Sequence, residues 1–318
     1  IAKPEAKPSD IYSDEPIAEE APGAKFGALA FLLLVGYGFY LLARSKTGAA
    51  IFSPWQTISP SYIFVFFFST ALLGLLIFSH LRVKTILFFL FLQTLLLHSY
   101  LPLTHSLLYG ADGWRHIANE QRLVEGKQFL QAKITIPGSG EPLFETGNSR
   151  STIGKMSYGN FWAVNILVAR FFHFDLITIN KWLMPILWSV LLPLLLLEIG
   201  LALGWSRRNS LLFCWLGLLP FAWQAGGSFT LPGNWGFLIW LFLMLLVLKR
   251  IKSPQKEQLP ALIFVGLGSL LGYALYFILF ALGFAWAEVV LRLSFRGVSV
   301  NPTPARHASP LAGVAGRP

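Results

Sequence analysis

Charge is scarce in this chain. Lys, Arg, Asp and Glu make up 13% of its 318 residues, against about 25% in a soluble domain. That is too little to cover a surface facing water on all sides, which excludes an ordinary soluble fold. Cysteine is nearly absent. Cys214 is the single one and lies inside the apolar run Leu211–Leu219, so no intramolecular disulfide can form and the redox compartment stays unmarked. There is no strand–glycine loop–helix unit, which removes nucleotide sites of the P-loop or Rossmann type. The sequence has no internal repeat and no soluble catalytic domain. Its first 24 residues lack the basic start and apolar core of a signal peptide.

Apolar residues are abundant, at 55%. A bilayer core about 30 Å thick needs about 20 apolar helical residues. The runs Phe26–Leu42, Tyr62–Phe78, Thr85–Leu103, Trp182–Leu203, Leu211–Trp223, Trp235–Leu248 and Leu262–Leu282 predict about seven spans. The fold class expected is all-α, a polytopic membrane helical bundle whose extracytoplasmic loop carries interfacial helices. An eighth apolar segment, Tyr158–Phe172, is interrupted by Asn160, Asn165 and Arg170 and reads as an interfacial helix. Residues 1–24 read as a disordered acidic tail, 25–84 as N-terminal spans, 85–296 as the main membrane domain and 297–318 as a second disordered tail. The chain does not open on Met, and a fragment of a longer protein is expected.

The formal net charge of +10 would suggest nucleic acid in a soluble protein. Here the basic residues sit mostly in short turns between spans, where they set orientation and meet anionic headgroups. Membrane lipids are therefore the expected partners, and nucleic acid is not. Placing Arg82/Lys84, Arg207/Arg208 and Lys249/Arg250/Lys252/Lys256 in the cytoplasm sends Thr85–Leu103 outward. The return is then a single crossing, Trp182–Leu203, provided that Tyr158–Phe172 does not cross. Arg44 and Lys46 fall outside under this scheme and are its one exception.

Residues 104–157 then form an outer loop, and it begins with the most polar island in the chain. Asp112 to Glu125 fits a helix, with Asp112, His116, Asn119/Glu120 and Leu123 along one face and Trp114, Ile117, Ala118 and Gln121 along another. Asp112 has two readings. It is the N-cap of that helix, or it is a base at a polar pocket that takes a proton from a hydroxyl. Asp112, His116 and Glu120 stand at i, i+4 and i+8, where a divalent cation is conceivable, although the spacing is not a zinc signature. No metal and no cofactor is assigned. Arg115, Arg122, Arg150 and Lys155 supply either headgroup contacts or a clamp on a phosphate. Glu198, in an otherwise apolar run, reads as an interfacial residue beside Arg207.

Tyr109-Gly-Ala-Asp112-Gly-Trp-Arg-His116, followed by Leu123-Val-Glu-Gly126, resembles the first-loop acidic motif of the multi-span GT-C glycosyltransferases. That superfamily includes the protein O-mannosyltransferases and the aminoarabinose transferases. Lys155-Met-Ser-Tyr158 is similar to the entry of their second interfacial helix, with Ser157 in place of Leu and without its Pro. Gly233-Asn234 stand where many members carry an Asp in the second outer loop. The resemblance covers about residues 85–282. It implies transfer of a sugar from a polyprenyl-phosphate carrier to a hydroxyl acceptor, at the outer face of a bacterial plasma membrane. Asp112 would be the catalytic base, with Arg115, His116, Glu120, Lys155 and Tyr158 binding substrate. The rival readings are a transporter or flippase, which would place polar groups and broken helices near the midplane, and a non-catalytic membrane protein.

Overall fold

In the computed structural model the described residues are 22–49, 51–79, 81–127, 133–135, 142–145, 158–219, 226–253 and 258–297. Five helices are long and apolar enough to cross a membrane, and the chain is a helical membrane protein. They are α1 (Pro22–Arg44), α2 (Pro60–Ile77), α7 (Leu176–Ala202), α9 (Pro232–Lys252) and α11 (Ala274–Gly297). Shorter helices lie between them: α3 (Val83–His98), α4 (Tyr100–Thr104), α5 (Ala111–Val124), α6 (Gly159–Phe172), α8 (Arg207–Leu216) and α10 (Gln258–Leu270). Lys133–Thr135 and Pro142–Glu145 form a short antiparallel strand pair between α5 and α6. Both expected tails fall almost wholly outside the described residues, as does much of the expected outer loop 104–157 after residue 127.

The bundle is organised around α7. The Asp175 carboxylate caps it, accepting from the Thr178 backbone at 2.8 Å and from the Thr178 hydroxyl at 2.7 Å. It packs against α3, α4, α5, α6, α8 and α9. Met184, Trp188, Leu192, Leu196 and Leu197 form its buried stripe. Polar side chains tie the neighbouring helices together: Gln93 donates to the Thr70 hydroxyl at 2.8 Å, Tyr62 to the Leu96 carbonyl at 3.1 Å, and Trp215 to the Thr70 carbonyl at 2.8 Å. Each such bond between spanning helices is worth roughly 0.6 kcal/mol on average.

Three expected spans take a different form. Thr85–Leu103 is divided at Ser99 into α3 and α4, and α3, with 16 residues, is not among the five long helices. Where Leu262–Leu282 reads as one crossing, the chain breaks at Leu271–Tyr273 into α10 and α11, which pack side by side. Asn160 at the start of α6 explains the break. Its backbone amide donates to the Leu271 carbonyl at 3.0 Å and its side-chain amide to the Gly268 carbonyl at 2.9 Å. The Gly268 carbonyl also accepts from the Leu271 amide at 3.1 Å, so Asn160 adds a second donor at this helix end. Glycine is required at 272, because a Cβ there would stand 2.8 Å from the Asn160 Oδ1. Where Leu211–Trp223 reads as a span, the described helix is α8, ten residues long, which is too short to cross alone at about 1.5 Å per residue. Residues 220–225 lie outside the described residues.

The bundle has two unlike ends. At one, Arg208 donates to the Phe78 carbonyl at 3.2 Å and sits over the Phe78 ring, Lys249 pairs with Glu198 at 2.8 Å, and Lys252 approaches Gly204. The three basic turns thus share one end, as the charge pattern requires. Glu198, read as an interfacial residue beside Arg207, pairs with Lys249 at this end. At the other end Thr47 pairs with His105, and Lys181 donates to the His105 carbonyl at 2.8 Å. Arg44 and Lys46 fall at this second end, as the charge scheme foresaw for its exception. With Cys214 replaced by Ala, cysteines introduced singly at Ser106 and Asn209 should react with an impermeant reagent from opposite faces of the membrane. Reaction of both from the same face would overturn this arrangement.

Candidate functional site

The polar island is built at the second end. After α4 the chain runs past Thr47, whose carbonyl accepts from the Ser106 amide at 3.0 Å. Tyr109 then donates to the Phe52 carbonyl at 2.9 Å. Gly110 turns the chain into α5 with φ +90°, a conformation open to glycine and costly for most other residues. Gly110 is the N-cap and gives no side-chain capping bond. The capping reading of Asp112 is therefore corrected, since that residue lies one position inside the helix. In the first turn its carboxylate is favoured by the helix dipole while remaining exposed.

α5 is amphipathic. His116 and Glu120, one turn apart, point inward, and Asp112 and Arg115 point outward with side-chain exposures of 60% and 79%. The inward face meets α6 and α7. α6 turns Phe161, Trp162, Asn165 and Ala169 to it, which is one helical face. Fourteen residues span about 21 Å at 1.5 Å per residue, short of a bilayer core. α6 therefore does not cross the membrane on its own length, in keeping with the interfacial reading.

His116 is almost fully buried. The Trp162 indole N–H donates to its Nδ1 at 3.1 Å, and an indole nitrogen can only donate. The neutral imidazole must therefore carry its proton on Nε2, the atom that faces the Asp112 Oδ2 at 3.8 Å. Burial pushes the imidazole below its ordinary range, nearby Asp112 opposes that, and Arg115 adds to it. The rings of Tyr158 and Phe161 meet the imidazole edge-on, each at 5.6 Å between centroids. Tyr158 in turn stacks on Tyr273 at 6.2 Å. Its phenol is raised above the usual range, first by burial, then by Tyr273 and Asp112.

Glu120 is completely buried. The Asn165 carboxamide donates to its Oε1 and the Asn180 carboxamide to its Oε2, the latter at 2.7 Å. Burial pushes the carboxyl up to about 7, with the two carboxamides pulling the other way. Both oxygens of Glu120, a residue expected to bind substrate, are hydrogen-bonded inside the protein. The same burial separates it from Asp112 as a pair of metal ligands. Among the described residues no three His, Cys, Asp or Glu side chains come together as a metal site would require. Arg115, His116 and Tyr158 do gather around Asp112 as expected. Lys155 and Arg150 lie outside the described residues.

Sequence reasoning passed over Trp162, Asn180 and Tyr273. Asn165 was visible only as a polar interruption, and nothing in the sequence joins it to a carboxylate 45 positions earlier. Two apolar grooves flank the start of α6, and Leu271 lines both. One, of about 720 Å³, lies between α7, α9 and α10, with Leu191, Leu238, Phe242 and Phe264 on its walls and Asn160 at its polar edge. The other, of about 570 Å³, is lined by Leu123, Trp162, Ile166 and Leu167.

No family model matches the chain, and no curated protein or solved structure is significantly similar to it.

The Trp162–His116 bond has a measurable worth. In a double-mutant cycle of Trp162→Phe and His116→Phe, followed by unfolding in mixed micelles, the coupling should be about 1 kcal/mol, the net value of a buried hydrogen bond. A coupling indistinguishable from zero would remove the tautomer argument.

Proposed function

We propose that this protein is a membrane glycosyltransferase of the GT-C kind, which moves a sugar from a polyprenyl-phosphate donor to a hydroxyl acceptor. One observation carries the reading. An exposed carboxylate, Asp112, stands at the end of the bundle opposite the three basic turns, near apolar grooves that share Leu271. A donor of this class is half polar headgroup and half hydrocarbon, and it needs a polar centre next to an apolar track.

In this reading the basic turns face the cytoplasm, and the Asp112 end faces outward from a bacterial plasma membrane. Asp112 takes the proton of the acceptor hydroxyl as its oxygen attacks the anomeric carbon. The bond from that carbon to the phosphate oxygen breaks, and polyprenyl phosphate leaves with the bonding pair. The Nε2–H of His116 steadies the carboxylate, and Arg115, with Lys155 and Tyr158, receives the charge that grows on the phosphate. The grooves and the exposed Arg115 support this division of roles. Transport is less well supported, because the ionisable Glu198 pairs with Lys249 at the basic end rather than at the midplane.

Asp112→Asn keeps the size of the side chain and removes its basicity. Transfer of labelled sugar from a polyprenyl-phosphate donor should fall about 10²–10⁴-fold, the usual contribution of a general base, while membrane insertion is unchanged. Wild-type turnover in this variant would end the assignment, and no transfer by the unmodified protein would favour a non-catalytic role.

A further inference from the structure

Glu120 is the one buried carboxylate of the site, and the chemistry above does not use it. Its position is unusual for an acid. It is the deepest residue on the inner face of α5, and its partners come from two different helices, Asn165 on α6 and Asn180 on α7. The three side chains close a ring, because the Asn165 amide also reaches the Asn180 Oδ1 at 3.4 Å. The remaining N–H of Asn180 is directed to the Leu176 carbonyl at 3.0 Å. Both amide nitrogens are thereby committed, while Asn165 Oδ1 is buried with no donor. The ring is thus made of neutral partners around one acid, with no cation in it.

We propose that Glu120 is a positioning residue that holds α5 on the bundle as the neutral acid, so that loss of its proton loosens the helix carrying Asp112. This adds a regulation to the site read above as a transferase, but the attachment of α5 is a physical event whatever the reaction. A buried carboxylate is tolerated when a cation or several strong donors replace its water. Here the two direct partners are neutral carboxamides. The charged groups on the surrounding elements are Asp112, Arg115, His116 and Arg122 on α5, Arg170 on α6, and Asp175 and Lys181 at the start of α7. None of them contributes to the shift of Glu120. Lys181 is directed to the carbonyls of His105 and Ser106, and Asp175 caps its own helix.

The direction with pH follows. In a detached α5 Glu120 would titrate near its ordinary value of 4.5, against about 7 when buried. Its contribution to attachment is full below the lower value, declines as pH rises between the two, and is gone above the higher. His116 acts in the opposite sense. Its value is lowered by burial, so its contribution is full above its ordinary 6.5 and is lost as pH falls. One inward face of α5 therefore carries two titrations of opposite sign, one turn apart.

The test is hydrogen exchange of residues 111–124 in the full chain in lipid nanodiscs, expressed as protection factors at pH 5 and pH 8. Glu120→Gln preserves the shape and cannot ionise, and dividing wild-type protection by that of the variant cancels the His116 titration. The ratio should fall about 10–10²-fold between the two pH values. A ratio that does not change would overturn the proposal. A second measurement needs no variant. Glu125 and Asp175 are both held below the usual carboxylate range by their partners. An infrared band of a protonated carboxyl, present in the wild type at pH 6 and lost at pH 9, is therefore expected from Glu120. Its absence at pH 6 would be equally decisive against the proposal. Neither measurement reads sugar transfer, so it can fail without touching the Asp112→Asn assay, and the reverse holds too.

Discussion

Inside a bilayer, a backbone N–H or C=O without a partner costs several kcal/mol, and that constraint governs this architecture. Straight helices meet it within themselves. At several points a side chain adds a hydrogen bond to a backbone carbonyl. Asn160 serves the end of α10, and the Cys214 thiol donates to the Pro193 carbonyl at 3.2 Å within proline-containing α7. Ser189 returns its hydroxyl to the Pro185 carbonyl a turn earlier. At the α10–α11 break another element, the start of α6, stands close enough to help. This is why the α10–α11 turn and the start of α6 occur together.

The same constraint sorts the polar residues. Charged side chains collect at the two ends, and the interior keeps amides and hydroxyls whose bonds can close within the protein. Glu120 stands between these classes, an acid with the surroundings of an amide. α5 and α6 are free to carry such chemistry because they stand at the end of the bundle opposite the basic turns. A helix buried among spans could not present Asp112 to solvent and Glu120 to the core one residue face apart. Amphipathicity across the end of α7 thus creates both a polar surface and a buried anchor from fourteen residues.

Legibility in the sequence followed the range of the interaction. The apolar run Thr85–Leu103, the island at Asp112 and the short length of Tyr158–Phe172 all depend on neighbours within a few turns and were readable, although the division of that run at Ser99 was not. The common end of the three basic turns was readable too, because charge and span parity are properties of the whole chain. The break at Leu271 was not. Gly266, Gly268 and Gly272 hinted at it, but glycine is common in membrane helices that do not break. The deciding group, Asn160, is 108 positions away from the carbonyl at Gly268.

For the site, the sequence by itself determined which face of α5 holds Asp112, His116 and Glu120, since helical period alone aligns them. It could not assign them different tasks. Only the tertiary structure decided that Asp112 meets water, that Trp162 fixes the tautomer of His116, and that Glu120 is enclosed by Asn165 and Asn180. Exposure and the sign of a pKa shift come from what packs against a residue, and those neighbours arrive from helices that the local sequence does not mention.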